Sequence, residues 1–280
     1  MFLILYFLFI IRQVSSYRYL PDSGHVPYSY STLERDLLAN ATEVPHHVLI
    51  VYGSWYCSGS LTASKIVVTA ASCFIHYNGE AIAVKIGTES ITATGQIISV
   101  VEYKTHEYFQ HYSKIDNDIA LMVLKENVDF DDGDIEKVVL IQPDVALRVN
   151  TLLHVYGWGG PEKAVKYQNM PLCSDMLVLD RTECVSRYGR LMTSSNFCVR
   201  FNLQRKLSDN GGSAIYNRTL VGILSAGGNS NDLPHFAILT NVSYFHRWIK
   251  LNTEMYLRKY CSAPKSNEYY QIRSSEIPET

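Results

Sequence analysis

Residues 207–213 read Leu207-Ser208-Asp209-Asn210-Gly211-Gly212-Ser213, between a polar loop (Asn202–Lys206) and a short apolar, strand-like run (Ala214–Tyr216). Four other stretches have to be read together with this one. Thr69-Ala70-Ala71-Ser72-Cys73 and Asn117-Asp118-Ile119-Ala120-Leu121 lie well upstream. Gly157-Trp158-Gly159 follows them, and Tyr244-Phe245-His246-Arg247-Trp248-Ile249 opens an amphipathic pattern near the C-terminus.

The first stretch resembles the nucleophile loop of the trypsin/chymotrypsin family, Gly-Asp-Ser-Gly-Gly-Pro, with Asp209, Gly211 and Gly212 in register. The other four resemble the family's Thr-Ala-Ala-His-Cys, Asp-Ile-Ala-Leu, Gly-Trp-Gly and aromatic–Trp-Ile motifs, in family order and at family-like separations. Together they cover most of residues 41–258. The resemblance implies an all-β fold of two antiparallel six-stranded β-barrels with a C-terminal helix.

Residue pattern agrees with that class. His46–Tyr52, Lys65–Thr69, Ala81–Ile86, Ile97–Tyr103 and Ala120–Leu124 read as one group of strands, rich in β-branched and aromatic residues. Leu152–Tyr156, Asp175–Leu179, Asn196–Val199, Ser213–Tyr216, Leu220–Ser225 and Phe236–Thr240 form a second group, and Val242–Leu257 reads as a closing helix.

The resemblance fails where the family's chemistry lies. In that family a serine attacks the peptide carbonyl, a histidine takes its proton and a buried aspartate orients the histidine. Here the serine position is Asn210 and the histidine position is Ser72; only Asp118 is kept. A carboxamide offers no nucleophilic oxygen fit for acyl transfer, and a hydroxyl does not accept a proton near neutral pH as imidazole does. The oxyanion-hole position is Ser208, where the family has glycine. Gap-free counting from Asn210 puts Gln204 at the pocket floor and Ser225-Ala226-Gly227 on its wall. It also puts His235 where a bulky ring narrows the pocket. His106 and His111 read as rim residues. No activation sequence precedes the domain, so Asp209 is expected to lack the ammonium partner it has in active relatives.

Bulk properties narrow the choice of class. The chain has 280 residues, 47% of them apolar, and a net charge of -2 without a basic cluster. That charge distribution argues against a nucleic-acid partner. Residues 2–11 are an unbroken apolar run, too short to span a bilayer, followed by Val14-Ser15-Ser16. Residues 1–16 are therefore expected to be a signal peptide, 17–40 an extension and 259–280 a polar tail, in a secreted, extracellular protein without membrane insertion.

Secretion makes the six cysteines readable as disulfides. The resemblance implies Cys57–Cys73 and Cys184–Cys198, and leaves open a Cys173–Cys261 bridge or an intermolecular bond. Asn40, Asn217 and Asn241 head glycosylation sequons, Asn217 at an expected hairpin tip. No cofactor and no metal site is expected. His46 and His47 face opposite sides of a strand, and the loop Thr88–Gly95 is poor in carboxylates.

The reading is a secreted, non-enzymatic serine protease homologue that acts by binding a protein partner. It resembles inactive members known from arthropods, which serve as regulators, cofactors or decoys in proteolytic, reproductive or immune pathways. Two alternatives stand beside it: a hydrolase using an unorthodox serine (Ser208, Ser213 or Ser225), and a disulfide-linked carrier.

Overall fold

In the computed structural model the described residues are 18–19, 37–38, 43–88, 90–131, 135–158, 171–201, 210–227 and 236–261. Two short strands come first, β1 (Arg18–Tyr19) and β2 (Leu37–Leu38). The first barrel follows: β3 (His47–Tyr52), β4 (Trp55–Ala63), β5 (Ile66–Thr69), β6 (Ile82–Ile86), β7 (Gln96–Thr105) and β8 (Ala120–Leu124). It closes in the order β3-β4-β5-β8-β7-β6, antiparallel throughout. β5 and β8 are buried along their whole length, as their β-branched and aliphatic residues require.

β9 (Val139–Leu140) and β10 (Val145–Ala146) run along the connection to the second barrel. That barrel comprises β11 (Leu152–Gly157), β12 (Leu172–Val178), β13 (Asn196–Phe201), β14 (Ser213–Tyr216), β15 (Thr219–Gly227) and β16 (Phe236–Asn241). The pairing β11-β14-β15-β16-β13-β12 returns to β11, so this ring also closes; β2 is added at β12 and β9 at β15. Helix α1 (Arg181–Tyr188) follows β12, and α2 (Val242–Cys261) ends the described chain. α2 buries Val242, Phe245, Ile249 and Tyr256, a helical spacing that lays one stripe on the barrels. Asn241 caps it, accepting from the Ser243 amide at 3.1 Å.

The two-barrel expectation holds; the strand reading leaves out β4, the two-residue strands β1, β2, β9 and β10, and helix α1. β4 escapes it because Ser58-Gly59-Ser60 interrupts the apolar run. The small residue is a packing requirement: a Cβ on Gly59 would stand 2.7 Å from Val67 Cγ1 and 3.0 Å from Val48 Cγ2. α1 carries a legible start signal. Asp180 accepts from the Thr182 amide at 2.8 Å as N-cap, and Glu183 pairs with Arg187 one turn on.

Cys57–Cys73 and Cys184–Cys198 are disulfides. Cys173 and Cys261 are not joined: Cys173 is buried on β12, and Cys261 is exposed at the end of α2. Asn217 is exposed at the β14–β15 turn, where it and Arg218 take positive φ (47° and 59°), as the tight hairpin demands. Asn40 lies outside the described residues. Asn241, the α2 cap, is only partly exposed, so Asn217 is the more accessible of the two described sequons. In the loop after β6, the Lys85 ammonium donates to the carbonyls of Ile91 (3.0 Å) and Ala93.

Candidate active site

The floor of the site lies where the barrels meet. Gly211 has φ 91°, and a Cβ there would collide with the Ser58 carbonyl and Thr69 Oγ1 of the first barrel. A Cβ on Gly212 would collide with the Tyr156 carbonyl of the second. Both glycines are thus required by close backbone approach. The turn they form brings the Asn210 carbonyl to the Ser58 amide at 2.9 Å.

Asp118 arrives from the other side. Asn117 precedes it with φ 52°, tolerable for asparagine, and its amide donates to Ser195 Oγ at 3.1 Å. Ser195 Oγ and Thr193 Oγ1 both donate to Asp116, at 2.9 and 2.6 Å. Thr240 Oγ1 donates to the Asp118 carbonyl at 2.7 Å. The residues flanking Asp118 are therefore tied into the second barrel from several directions. Ser195 and Asp116 belong to this tether.

Three sequence-predicted positions meet in one hydrogen-bonded chain. Asn210 Nδ2 donates to Ser72 Oγ at 2.8 Å, and Ser72 Oγ donates to Asp118 Oδ2 at 2.8 Å. The Ser72 amide donates to Asp118 Oδ1 at 2.7 Å, and Ser225 Oγ also reaches Oδ2. The spacing depends on both replacements. A serine at 72 is shorter than a histidine, and an asparagine at 210 reaches further than a serine, so a longer arm on one side compensates for a shorter one on the other.

Asp118 is fully buried. Desolvation pushes its carboxyl up to about 6, against the opposing pull of hydrogen bonds from Ser225, Ser72 and the Ala71 amide. Ser225, expected on the pocket wall, is thus engaged with the carboxylate and buried. Ala226 is partly exposed beside it, and Gly227 ends β15. Gln204, Ser208, Asp209 and His235 lie outside the described residues.

Among the described residues, His106, His111, His46 and His47 make contacts with other groups. His106 packs on the rings of Phe245 and Trp248, each 5.1 Å between centroids, and burial lowers its pKa. His111 packs against Tyr108 and Tyr112. His46 and His47 lie between the barrels. His46 Nε2 is 3.4 Å from Ser213 Oγ, and His47 Nε2 is 3.2 Å from Ser58 Oγ. Burial pushes His46 down to about 4 and His47 to about 3, so both are neutral near pH 7. The His46–Ser213 contact joins residues 167 positions apart, and no local signal announces it.

Matched along the sequence, residues 38–249 fit the family described as Trypsin. This chain belongs to the trypsin family. Among its relatives, Trypsin 5G1 of Aedes aegypti is 29% identical over 216 residues, 74% of this chain and 80% of the relative. The vitellin-degrading protease of Bombyx mori is 26% identical over 219 residues, covering 75% and 81%. Among solved structures, the scabies mite inactivated protease paralogue S-D1 superposes with TM-score 0.69 at 21% identity. That superposition covers 79% of this chain and 97% of the mite protein, and it confirms the shared fold.

Beside the trypsin-family cleft, one group of metal-capable residues was not anticipated. His154, Cys173 and Asp175 bring one donor atom each within 4.8 Å of one another on the second barrel. A cavity of about 380 Å³ lies elsewhere, lined in part by Val145, Leu147, Val178, Phe197 and Val221, and it includes none of Ser72, Asp118 or Asn210. No helix among the described residues is long and apolar enough to cross a membrane.

Proposed function

We propose that this trypsin-family chain is a secreted, non-enzymatic homologue that works by binding another protein. The supporting observation is the direction of the hydrogen bonds at the degenerate triad. Asn210 donates to Ser72 and Ser72 donates to Asp118, so the serine proton is already committed to a carboxylate. The position that would attack a carbonyl holds a carboxamide, and among the described residues it is Ser72 that links it to the acid. Catalysis by this family needs both groups, and removing them from a protease of another fold that uses the same triad lowers turnover by about a millionfold. The two disulfides fit an oxidising, extracellular setting, as does the expected signal peptide at 1–16. A rigid two-barrel scaffold with the cleft chemistry removed leaves its loops as a recognition surface. The role we infer is that of regulator, cofactor or decoy in an extracellular proteolytic pathway.

A second reading rests on the His46–Ser213 contact, which places an imidazole beside a hydroxyl. Both residues are buried, Ser213 completely, so a substrate does not reach them without the barrels parting. Among the other serines considered, Ser225 is committed to Asp118. A disulfide-linked carrier role would have to use exposed Cys261, since Cys173 is buried.

The test is labelling of the secreted protein with a fluorophosphonate, followed by peptide mapping. We expect no labelled serine in the native chain. A label on Ser213, Ser225 or Ser208 overturns the non-enzymatic reading. Cross-linking in the native secretion then identifies the bound partner, and a complex that collapses on reduction and is lost in Cys261→Ser favours the carrier role instead.

A further inference from the structure

We propose that His154, Cys173 and Asp175 form a zinc site on the outer face of the second barrel. The strand register is what assembles it. β11 and β12 pair antiparallel over six residue pairs, with His154 opposite Asp175 and Tyr156 opposite Cys173. Directly opposed residues of an antiparallel pair share a face, as do residues two apart on one strand. His154, Tyr156, Cys173 and Asp175 therefore all project from the same side, while Leu153 and Val155 point into the core, both fully buried.

Three donor types converge: an imidazole nitrogen, a thiol sulfur and a carboxylate oxygen, all within 4.8 Å of one another. His154 Nδ1 and Asp175 Oδ1 are already 2.7 Å apart. Tetrahedral coordination with ordinary zinc bond lengths separates neighbouring ligand atoms by about 3.5 Å. Small side-chain rotations reach that geometry without moving the strands. The side chain of His154 is half exposed and that of Asp175 is 17% exposed, so the ion has an entry path and an open fourth position for water. A mixed nitrogen, sulfur and oxygen set suits borderline-soft Zn²⁺ better than Ca²⁺ or Mg²⁺, which prefer all-oxygen cages.

Binding exchanges contacts and releases a proton. The Cys173 thiol gives its proton to solvent and the thiolate sulfur takes the metal. The histidine nitrogen and the carboxylate then bond the metal instead of each other. β2 pairs with β12 at Leu37–Cys173, so the ion would lie next to the strand that joins the N-terminal segment to the barrel.

The experiment uses the full secreted chain stripped of metal, titrated with ZnCl₂ alone and with Co²⁺ as an optical probe. We expect one equivalent of Zn²⁺ to bind and raise the melting temperature. Co²⁺ should give a thiolate-to-metal charge-transfer band that survives Cys261→Ser and vanishes in Cys173→Ser. His154→Ala, a half-exposed position that leaves the core intact, should weaken Zn²⁺ binding by more than the roughly 10–100-fold typical of losing an outer-shell partner. That variant tests the site independently should Cys173→Ser fail to fold. Absence of stoichiometric Zn²⁺, a band that follows Cys261 instead, or wild-type affinity in His154→Ala each overturns the site. None of these readouts depends on whether the cleft is catalytic.

Discussion

Two regions a few residues apart have kept different halves of one inheritance. The seam between the barrels holds Gly211 and Gly212 against Ser58, Thr69 and Tyr156, and it retains the family's glycines because nothing larger fits. The chain above it, Asn210–Ser72–Asp118, is hydrogen-bonded end to end and, in the function proposed above, no longer carries the attacking and proton-accepting groups. The contrast teaches that a sequence motif can mix a packing constraint with a chemical one, and that the two are free to part company.

The sharpest way to break the contrast is Gly211→Ala. It combines left-handed backbone strain with a collision against a backbone carbonyl, so we expect a loss of about 3–5 kcal/mol or failure to fold. Urea denaturation measures it. A loss under about 1 kcal/mol would mean that the seam is not tight.

Asp118→Asn tests the cleft chain. The folded carboxyl titrates near 6, above its unfolded value, so its ionisation weighs against the fold once the pH passes 6. Stability from this group is complete below about pH 4 and is lost as pH rises through 6. The amide variant escapes that loss. It should match the wild type at about pH 4 and exceed it by about 3 kcal/mol at about pH 8. Equal stability at the higher pH would show that the serine hydrogen bonds fully offset burial.

The seam should answer pH with the opposite sign. His46 and His47 titrate near 4 and 3 when folded, so the unfolded chain binds more protons below pH 6.5. Their contribution is present above 6.5 and is lost as pH falls through 4 and 3. Near pH 5 the unfolded state gains two protons there and the folded state gains one at Asp118. For these three groups together, stability falls by about 1.4 kcal/mol per pH unit on acidification. In Asp118→Asn the slope should steepen by about 1.4 kcal/mol per pH unit. Denaturation midpoints at about pH 4.5, 5 and 5.5 decide it.

The smallest effects belong to Ser72→Ala and Asn210→Ala. Asn210→Ala removes one hydrogen bond and should cost about 1 kcal/mol; Ser72→Ala removes two, to Asn210 and to Asp118, and should cost about 2 kcal/mol, with the double variant costing less than the sum. Strict additivity would mean that the two replacements do not support each other.

The parts of the fold that are legible in sequence are those tied to packing. Ile66–Thr69 and Ala120–Leu124 announce buried strands through their β-branched and aliphatic residues, and the α2 stripe announces itself through its period. β4 is hidden because tight packing calls for small residues that look like a loop. At the site, the identities at 72, 118 and 210 are readable, but their contact is not, since it depends on the combined reach of two substituted side chains. Counting residues puts Ser225 on a pocket wall but does not reveal that its hydroxyl serves Asp118. The His154, Cys173 and Asp175 group is illegible because it needs the β11–β12 register, which no local pattern supplies.

Lys85 carries a consequence for the loop after β6. Its ammonium reaches the carbonyls of Ile91 and Ala93, so the loop obtains its positive charge from the chain itself. A tethered cation has a local concentration fixed by covalent structure, unlike an ion drawn from solution. The described part of that loop is tied down by a cation that belongs to the chain.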